Sequence, residues 1–232
     1  MTTKGRFLQN IKHITCVIFI LSAVVAIPLR ASNFVQPSHL NAFRDAAVYS
    51  ACQDSSGAIW LNTSYGVFTF DGIQARMMLQ PIIAHSLECN GSNLVYSVSY
   101  LGIHRFDIRH REPQLLKSSI SGWHESSMLA VGDSLWVAHK NSLFVSRGDS
   151  LETVGCLPGA DFLCIAKRND STLVLGDREG DVYLYDGHFK RIFKASAGVA
   201  KILTDTNGNL WIGLVNGGVF LIRRDSSVHW IE

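Results

Sequence analysis

The sequence predicts an all-β chain folded as a β-propeller of four-stranded blades, and three observations carry that expectation. A short apolar segment recurs five times at a nearly fixed interval. Two of its copies, Asp54-Ser-Ser-Gly57-Ala-Ile-Trp60-Leu and Asp205-Thr-Asn-Gly208-Asn-Leu-Trp211-Ile, are almost interchangeable. Helical periodicity is nearly absent after residue 45. With Trp60, Tyr96, Trp136, Val174 and Trp211 as equivalent anchors, the successive intervals are 36, 40, 38 and 37 residues. Such a period is the signature of one propeller blade per repeat.

Each repeat reads as a meander of short strands. The first strands fall at Val48 to Gln53, Ser86 to Cys89, Ser127 to Val131, Phe162 to Ala166 and Val199 to Thr204. A polar turn, the anchor strand, a second turn and a third strand such as Val67 to Phe70 or Val182 to Tyr185 follow, then a weaker fourth strand. β-Branched and aromatic residues separated by Gly, Asp, Asn and Ser suit a pleated, half-buried surface rather than a helix. Asp54 to Gly57 and Asp205 to Gly208 each begin a turn with a carboxylate that accepts backbone N–H groups. Each ends it with a glycine free to take a positive φ. Asp54, Gly57, Trp60, Trp136, Asp205, Gly208 and Trp211 are therefore expected to be structural anchors of the blades. The repeats divide at about 47–82, 83–120, 121–158, 159–197 and 198–232.

Residues 1–31 differ in kind. Lys4, Arg6 and Lys12 precede an uncharged stretch from Ile14 to Leu29, and Ala31 follows Arg30 as a small residue where a signal peptidase could cut. The apolar core is short beside the roughly 20 residues a membrane helix needs, so a cleaved signal peptide is expected, with a mature periplasmic protein starting near Ser32. Residues 32–46 are a linker or lead-in to the first strand. Contact with a membrane is expected only through a downstream segment or an uncleaved N-terminus.

Processing would remove four of the 21 basic residues and none of the 19 acids, leaving 17 against 19. The basic pI of the whole chain is then a property of the leader, and no nucleic-acid surface is implied. The densest basic group, His104, Arg105, Arg109, His110 and Arg111, is expected on an exposed strand edge, where charge deters edge pairing. Cys52 lies eight residues before Trp60 and Cys89 seven before Tyr96. Opposite strand faces are expected for them, and small buried hydrophobes are the default reading of all four mature cysteines. Cys156 and Cys164 are the pair near enough in sequence to consider for a bridge. The histidines show no metal-ligand spacing, and neither a metal nor another cofactor is expected.

The segment Leu210-Trp-Ile-Gly213 through Gly217-Gly-Val-Phe220, preceded by Asp205-Thr-Asn-Gly208, resembles the two-component regulator propeller repeat, roughly D-x-x-G-x-L-W-I-G-T-x-x-G-G-L-x-x-Y. Ile59 to Thr63 with Gly66-Val-Phe follows it with one glycine missing. Leu173-Val-Leu-Gly176 with Gly180 to Asp186 keeps it without the tryptophan. The second and third repeats are degenerate: Tyr96 replaces Trp, His104 interrupts the third strand, and Ser142 stands where Gly would be.

The resemblance implies an extracytoplasmic, carbohydrate-responsive sensor region built from one or two large propellers. In such proteins a β-sandwich, a membrane helix and a histidine kinase follow, often with a receiver and a DNA-binding domain. Nothing in this chain resembles those parts, so no enzyme activity is expected of it. Five repeats could close a five-bladed ring, or form part of a larger ring of about seven blades in a truncated reading frame, and the family plan favours the second. An open arc would leave blade faces uncovered and associate, as in a homodimer through the propeller. A free-standing exported propeller that binds carbohydrate or protein without signalling is the alternative.

A ligand site is expected on the turns between second and third strands, because these differ sharply between repeats while the flanking strands stay alike. Tyr65 and Tyr100 would stack on an apolar sugar face. Asn62, His139, Lys140, Arg178 and Asn216 would hydrogen-bond hydroxyl or carboxylate groups, beside Asp177 and Glu179. Asp161, Asp177 and Glu179 could in principle supply paired catalytic carboxylates, but they read as surface acids.

Overall fold

The computed structural model describes residues 46–80, 84–89, 93–99, 102–109, 112–116 and 126–231. The expected signal peptide lies outside the described residues.

Short apolar runs, broken by Asx and glycine turns, form five antiparallel sheets of four strands each. The first holds β1 (Val48–Gln53), β2 (Ile59–Thr63), β3 (Gly66–Phe70) and β4 (Ala75–Leu79). The second holds β5 (Ala84–Cys89), β6 (Leu94–Ser99), β7 (Gly102–Asp107) and β8 (Pro113–Leu115). The third runs β9 (Ser127–Val131), β10 (Ser134–His139), β11 (Ser142–Arg147) and β12 (Ser150–Cys156). The fourth comprises β13 (Phe162–Lys167), β14 (Leu173–Asp177), β15 (Asp181–Tyr185) and β16 (Phe189–Lys194). The fifth comprises β17 (Val199–Thr204), β18 (Leu210–Leu214), β19 (Val219–Ile222) and β20 (Val228–Ile231). Within every sheet the strands pair in chain order. The first strands β1, β5, β9, β13 and β17 pack against one another in succession and so form the inner wall.

Successive side chains point to opposite faces of a strand, and here both faces are apolar. Trp60 and Val67 of the first blade pack with Leu87, Val95 and Phe106 of the second. The other face of the second blade, with Tyr96, Val98 and Ile103, meets Leu135, Val137 and Phe144 of the third. Ala138 and Leu143 then meet Ile165, Leu175 and Tyr185 of the fourth. Val174 and Val182 meet Val199, Ile202 and Ile212 of the fifth. The core is thus four successive seams, each between neighbouring sheets.

The Asp-x-x-Gly turns are built on their carboxylates. Asp54 Oδ1 accepts the Ser56 and Ala58 N–H groups at 2.9 and 3.1 Å, and Oδ2 accepts the indole N–H of Trp60 at 2.7 Å. Asp205 repeats the arrangement, with Asn207 and Asn209 N–H groups at 2.9 Å each and the Trp211 indole at 3.1 Å. Gly57 and Gly208 close these turns at φ 88 and 80, where a Cβ would be strained. Burial alone would raise the Asp54 carboxyl; the bonds from Ser56, Trp60 and Ala58 outweigh it and hold the group below its ordinary value. Ala130 and Arg168 occupy the corresponding places before Trp136 and Val174, so those anchors have no such clamp.

The cysteine expectation is corrected. Cys52 and Cys89 form a disulfide across the seam between the first and second blades, 37 residues apart, while Cys156 is a free exposed thiol and Cys164 a free buried one. The two half-cystines do sit on opposite strand faces, as their offsets from the anchors imply. In stacked blades, however, the forward face of one sheet meets the backward face of the next, so opposite faces are the ones that touch. Closing a loop of that length restricts the unfolded chain by about 4 kcal/mol. Burial pushes the Cys164 thiol up to about 12, which keeps it protonated.

His104 does not interrupt the third strand and is not on an exposed edge. It lies within the continuous strand β7, buried and paired in register with Ser97. Arg105 beside it donates to Asp149 at 2.6 Å, tying the second blade to the third.

Anchor burial differs from blade to blade: Trp60 is 1% exposed, whereas Trp136 and Trp211 are half-buried, and Leu203, the cross-strand partner of Trp211, is 52% exposed. Trp60→Ala is expected to cost about 3–5 kcal/mol, and Trp211→Ala about 1–2 kcal/mol. Urea denaturation of the two variants checks the ranking, and equal losses would refute it.

Candidate functional site at the blade tips

The turns between second and third strands all emerge at one end of the sheets, where the register places Thr63, Ser99, His139, Asp177 and Leu214 at equivalent last positions of β2, β6, β10, β14 and β18. All five are buried. The turns beyond them are fixed by short-range bonds. Tyr65 N–H donates to Thr63 Oγ1 at 3.1 Å, and the Thr63 hydroxyl donates to the Gly66 carbonyl at 2.9 Å. Three of the turns are also tied back to the residue just before the first strand of their own blade, through Ser64 N–H to Ala47 O, Arg178 N–H to Asp161 O and Val215 N–H to Gly198 O.

The expected site residues divide sharply. Tyr65, Lys140, Arg178 and Asn216 are exposed at tips, Tyr65 at 45%. Asn62, His139 and Asp177 are buried at 0, 2 and 1% exposure. Tyr100 lies outside the described residues. His139 Nδ1 and the Ser126 hydroxyl are 2.9 Å apart, linking the end of β10 to the segment before β9.

One junction brings expected residues together. Arg178 donates through Nε to Asp161 Oδ2 at 2.6 Å, and Lys140 O accepts the Phe162 N–H at 2.8 Å, so the third-blade tip, the lead-in to β13 and the fourth-blade tip are contiguous. An open cavity of about 410 Å³ lies there, lined by Lys140, Asn141, Gly159, Ala160 and Asp161. Lys140 is held at φ 50, a left-handed conformation uncommon for a residue with a Cβ. A somewhat larger cavity, about 470 Å³, lies on the outer strands of the second blade beside Arg105 and Glu112. It contains no tip residue, and the junction of Lys140 with the Arg178–Asp161 pair is the stronger candidate. Among the described residues no group of three or more His, Cys, Asp or Glu side chains is placed to hold a metal ion.

Asp177 lies directly beneath this junction. Burial raises its carboxyl above the ordinary range, opposed by the Asp181 N–H at 2.7 Å and reinforced by the Asp181 charge. Glu88 and Lys201 are further candidates that the sequence reading passed over. Glu88 on β5 is raised by burial and drawn back by Lys201 on β17 and by the Ala130 N–H, which puts opposite charges of the second and fifth blades within electrostatic reach along the inner wall. The signal was present as single charges inside apolar first strands, Leu87-Glu88-Cys89 and Ala200-Lys201-Ile202.

No family model and no curated protein matches the sequence. Solved structures do. The extracellular domain of BT4673 of B. thetaiotaomicron, ascribed to a one-component system, superposes with a TM-score of 0.66 at 21% identity, over 82% of this chain and 28% of that one. The extracellular domain of BT3049 of the same organism, ascribed to a hybrid two-component system, gives 0.62 at 21% identity over 78% and 29%. The chain is a β-propeller. This propeller spans under a third of the length of those two ectodomains. Streptogramin B lyase shares the fold equally well, with a TM-score of 0.66 at 17% identity over 82% of this propeller and 70% of the lyase.

The Asp177 shift has a definite sign. An acid whose folded value is raised costs stability when ionised, and that cost is relieved as pH falls through the folded value toward 3.8. Asp177→Asn retains an acceptor for the Asp181 N–H and removes the charge. The variant is expected to melt above the native protein at pH 7, with the difference shrinking as pH approaches 4. A variant less stable than the native protein at pH 7 would mean the ionised carboxylate is held by a favourable partner.

Proposed function

We propose that this chain is the ligand-sensing propeller region of an exported two-component sensor, and that it binds a carbohydrate at the tips of its third and fourth blades. The observation that carries the reading is the superposition of about four-fifths of the chain on two sensor ectodomains, joined to the Asp-x-x-Gly-x-Leu-Trp-Ile repeat. On this reading the mature protein is periplasmic, released by cleavage near Ser32. The Cys52–Cys89 bond supports this, because such bonds persist in oxidising compartments. The signalling chemistry would belong to a histidine kinase joined downstream.

Binding rather than catalysis is supported by the state of the acids at the junction. Asp161 is engaged with Arg178, and Asp177 is buried under the turn. Lys140 and Asn141 line the cavity as donors for hydroxyl or carboxylate groups, which favours a glycan carrying acid groups. Tyr65, exposed at the first-blade tip, offers an aromatic face of the kind that stacks on sugar rings.

Calorimetric titration of the protein with a panel of neutral and acidic oligosaccharides tests the proposal. An oligosaccharide is expected to bind, and Lys140→Ala and Arg178→Ala each to weaken it at least tenfold, about 1.4 kcal/mol. Affinity unchanged in both variants would place the ligand away from this junction. Absence of binding across the panel would overturn the carbohydrate assignment.

A further inference from the structure

One core layer of the stack, apolar in the other blades, is polar at the seam between the first and second. On the face each blade turns to its predecessor, a residue of the second strand pairs in register with one of the third. The pairs are Leu61 with Phe68, Val137 with Phe144, Leu175 with Tyr183 and Ile212 with Phe220. In the second blade the same pair is Ser97 with His104. The first-blade face that meets it is polar as well. Asn62, paired with Ser50, stands where the other blades have Val98, Ala138, Gly176 and Gly213.

These four side chains are buried without a protein partner. Ser50 Oγ, both amide atoms of Asn62, Ser97 Oγ and His104 Nδ1 are enclosed and make no hydrogen bond to another protein group. Asn62 and Ser97 are fully buried, and His104 is 8% exposed. Native interiors satisfy nearly all such atoms, and each one left unmade opposes closure of the surfaces that bury it. A closed seam carrying several of them is therefore poised toward opening, since water would satisfy every one. Burial also lowers the His104 imidazole below its ordinary value, in keeping with a neutral, dehydrated ring.

The same seam carries the disulfide. Cys52 is two residues along β1 from Ser50, and Cys89 is two along β5 from Leu87, whose cross-strand partner is Ser97. Both half-cystines are only half-buried, within reach of an attacking thiolate. Among the described residues, the covalent bond and the uncompensated polar layer coincide at the seam between the first and second blades and occur at no other.

We propose that this seam is a redox-gated joint: the Cys52–Cys89 bond holds a polar interface shut, and its reduction by a dithiol lets the first two blades part. In the exchange a thiolate of the dithiol attacks one sulfur and displaces the other as a thiolate. The second thiol of the reductant then resolves the mixed disulfide. Two electrons and two protons pass to Cys52 and Cys89, which end as thiols, and the reductant ends as a disulfide. Parting of the blades hydrates Asn62, Ser97 and His104 and uncovers Trp60, whose burial depends on the second blade. The proposal does not depend on the identity of the ligand at the tips.

Hydrogen exchange of the intact protein, with and without dithiothreitol, tests it. Reduction is expected to speed exchange at least tenfold in β1 to β3 and β5 to β7 while leaving the fourth and fifth blades unchanged. A triple variant, Asn62→Val, Ser97→Val and His104→Phe, restores the residue types of the other blades and is expected to stay protected at the seam even when reduced. Unchanged exchange in reduced native protein would overturn the proposal, as would an increase spread evenly over all five blades. A reduced triple variant exchanging as fast as reduced native protein would show that the polar layer is not the cause. The native measurement stands by itself if the triple variant does not fold.

Discussion

Everything in this molecule follows from sheets that are apolar on both faces. A four-stranded meander with Trp60 on one face and Leu61 with Phe68 on the other cannot be stable in water by itself, because whichever face is exposed returns its apolar area to solvent. Neighbouring blades supply the cover, so stability is a sum over seams in the manner of repeat proteins. Trp60 and Trp211 share a local sequence and a carboxylate clamp, yet Trp60 is inaccessible and Trp211 half-open, so the clamp alone does not set an anchor's burial.

The clamp and the tips divide labour at opposite ends of the strands. At one end Asp54 and Asp205 gather backbone N–H groups and an indole N–H onto one carboxylate, which fixes where the anchor ring enters the seam. At the other end the strands terminate in Thr63, Ser99, His139 and Asp177, whose burial makes a firm platform, and the one or two residues beyond are free to vary. Recognition residues on short turns over a rigid scaffold need little ordering on binding, and that lowers its entropic cost. Lys140 and Arg178 occupy such positions on neighbouring blades, Arg178 paired with Asp161 and Lys140 bonded through its carbonyl to Phe162 N–H.

Much of the framework was legible. The spans of β1, β9 and β17 follow from apolar runs bounded by Asx and glycine turns, since both the runs and the turn chemistry are local. Contacts between blades were not legible in the same way. The offset of Cys52 and Cys89 was read correctly as opposite faces, and its consequence was missed, because pairing across a seam is a property of stacked sheets and not of one strand. His104 looks in the sequence like a break in a strand, and only the register, which pairs it with Ser97 where other blades have Leu61 with Phe68 and like apolar pairs, shows it as part of a core layer. Asn62, His139 and Asp177 look like turn residues in the sequence and lie one or two positions inside it, where the strand is already buried. Glu88 and Lys201 were visible only as charges out of place, and their convergence along the inner wall needs the curvature of the stack.

The central claim is that consecutive blades stack forward face to backward face in the register described, and the half-cystines report on it directly. Peptide mapping of the non-reduced protein by mass spectrometry, after blocking free thiols, is the decisive measurement. The account predicts one linked species joining the peptides that contain Cys52 and Cys89, with Cys156 and Cys164 recovered as blocked thiols. A link between Cys156 and Cys164, or Cys52 and Cys89 both recovered as free thiols, would contradict the seam and with it the stacking from which the rest follows.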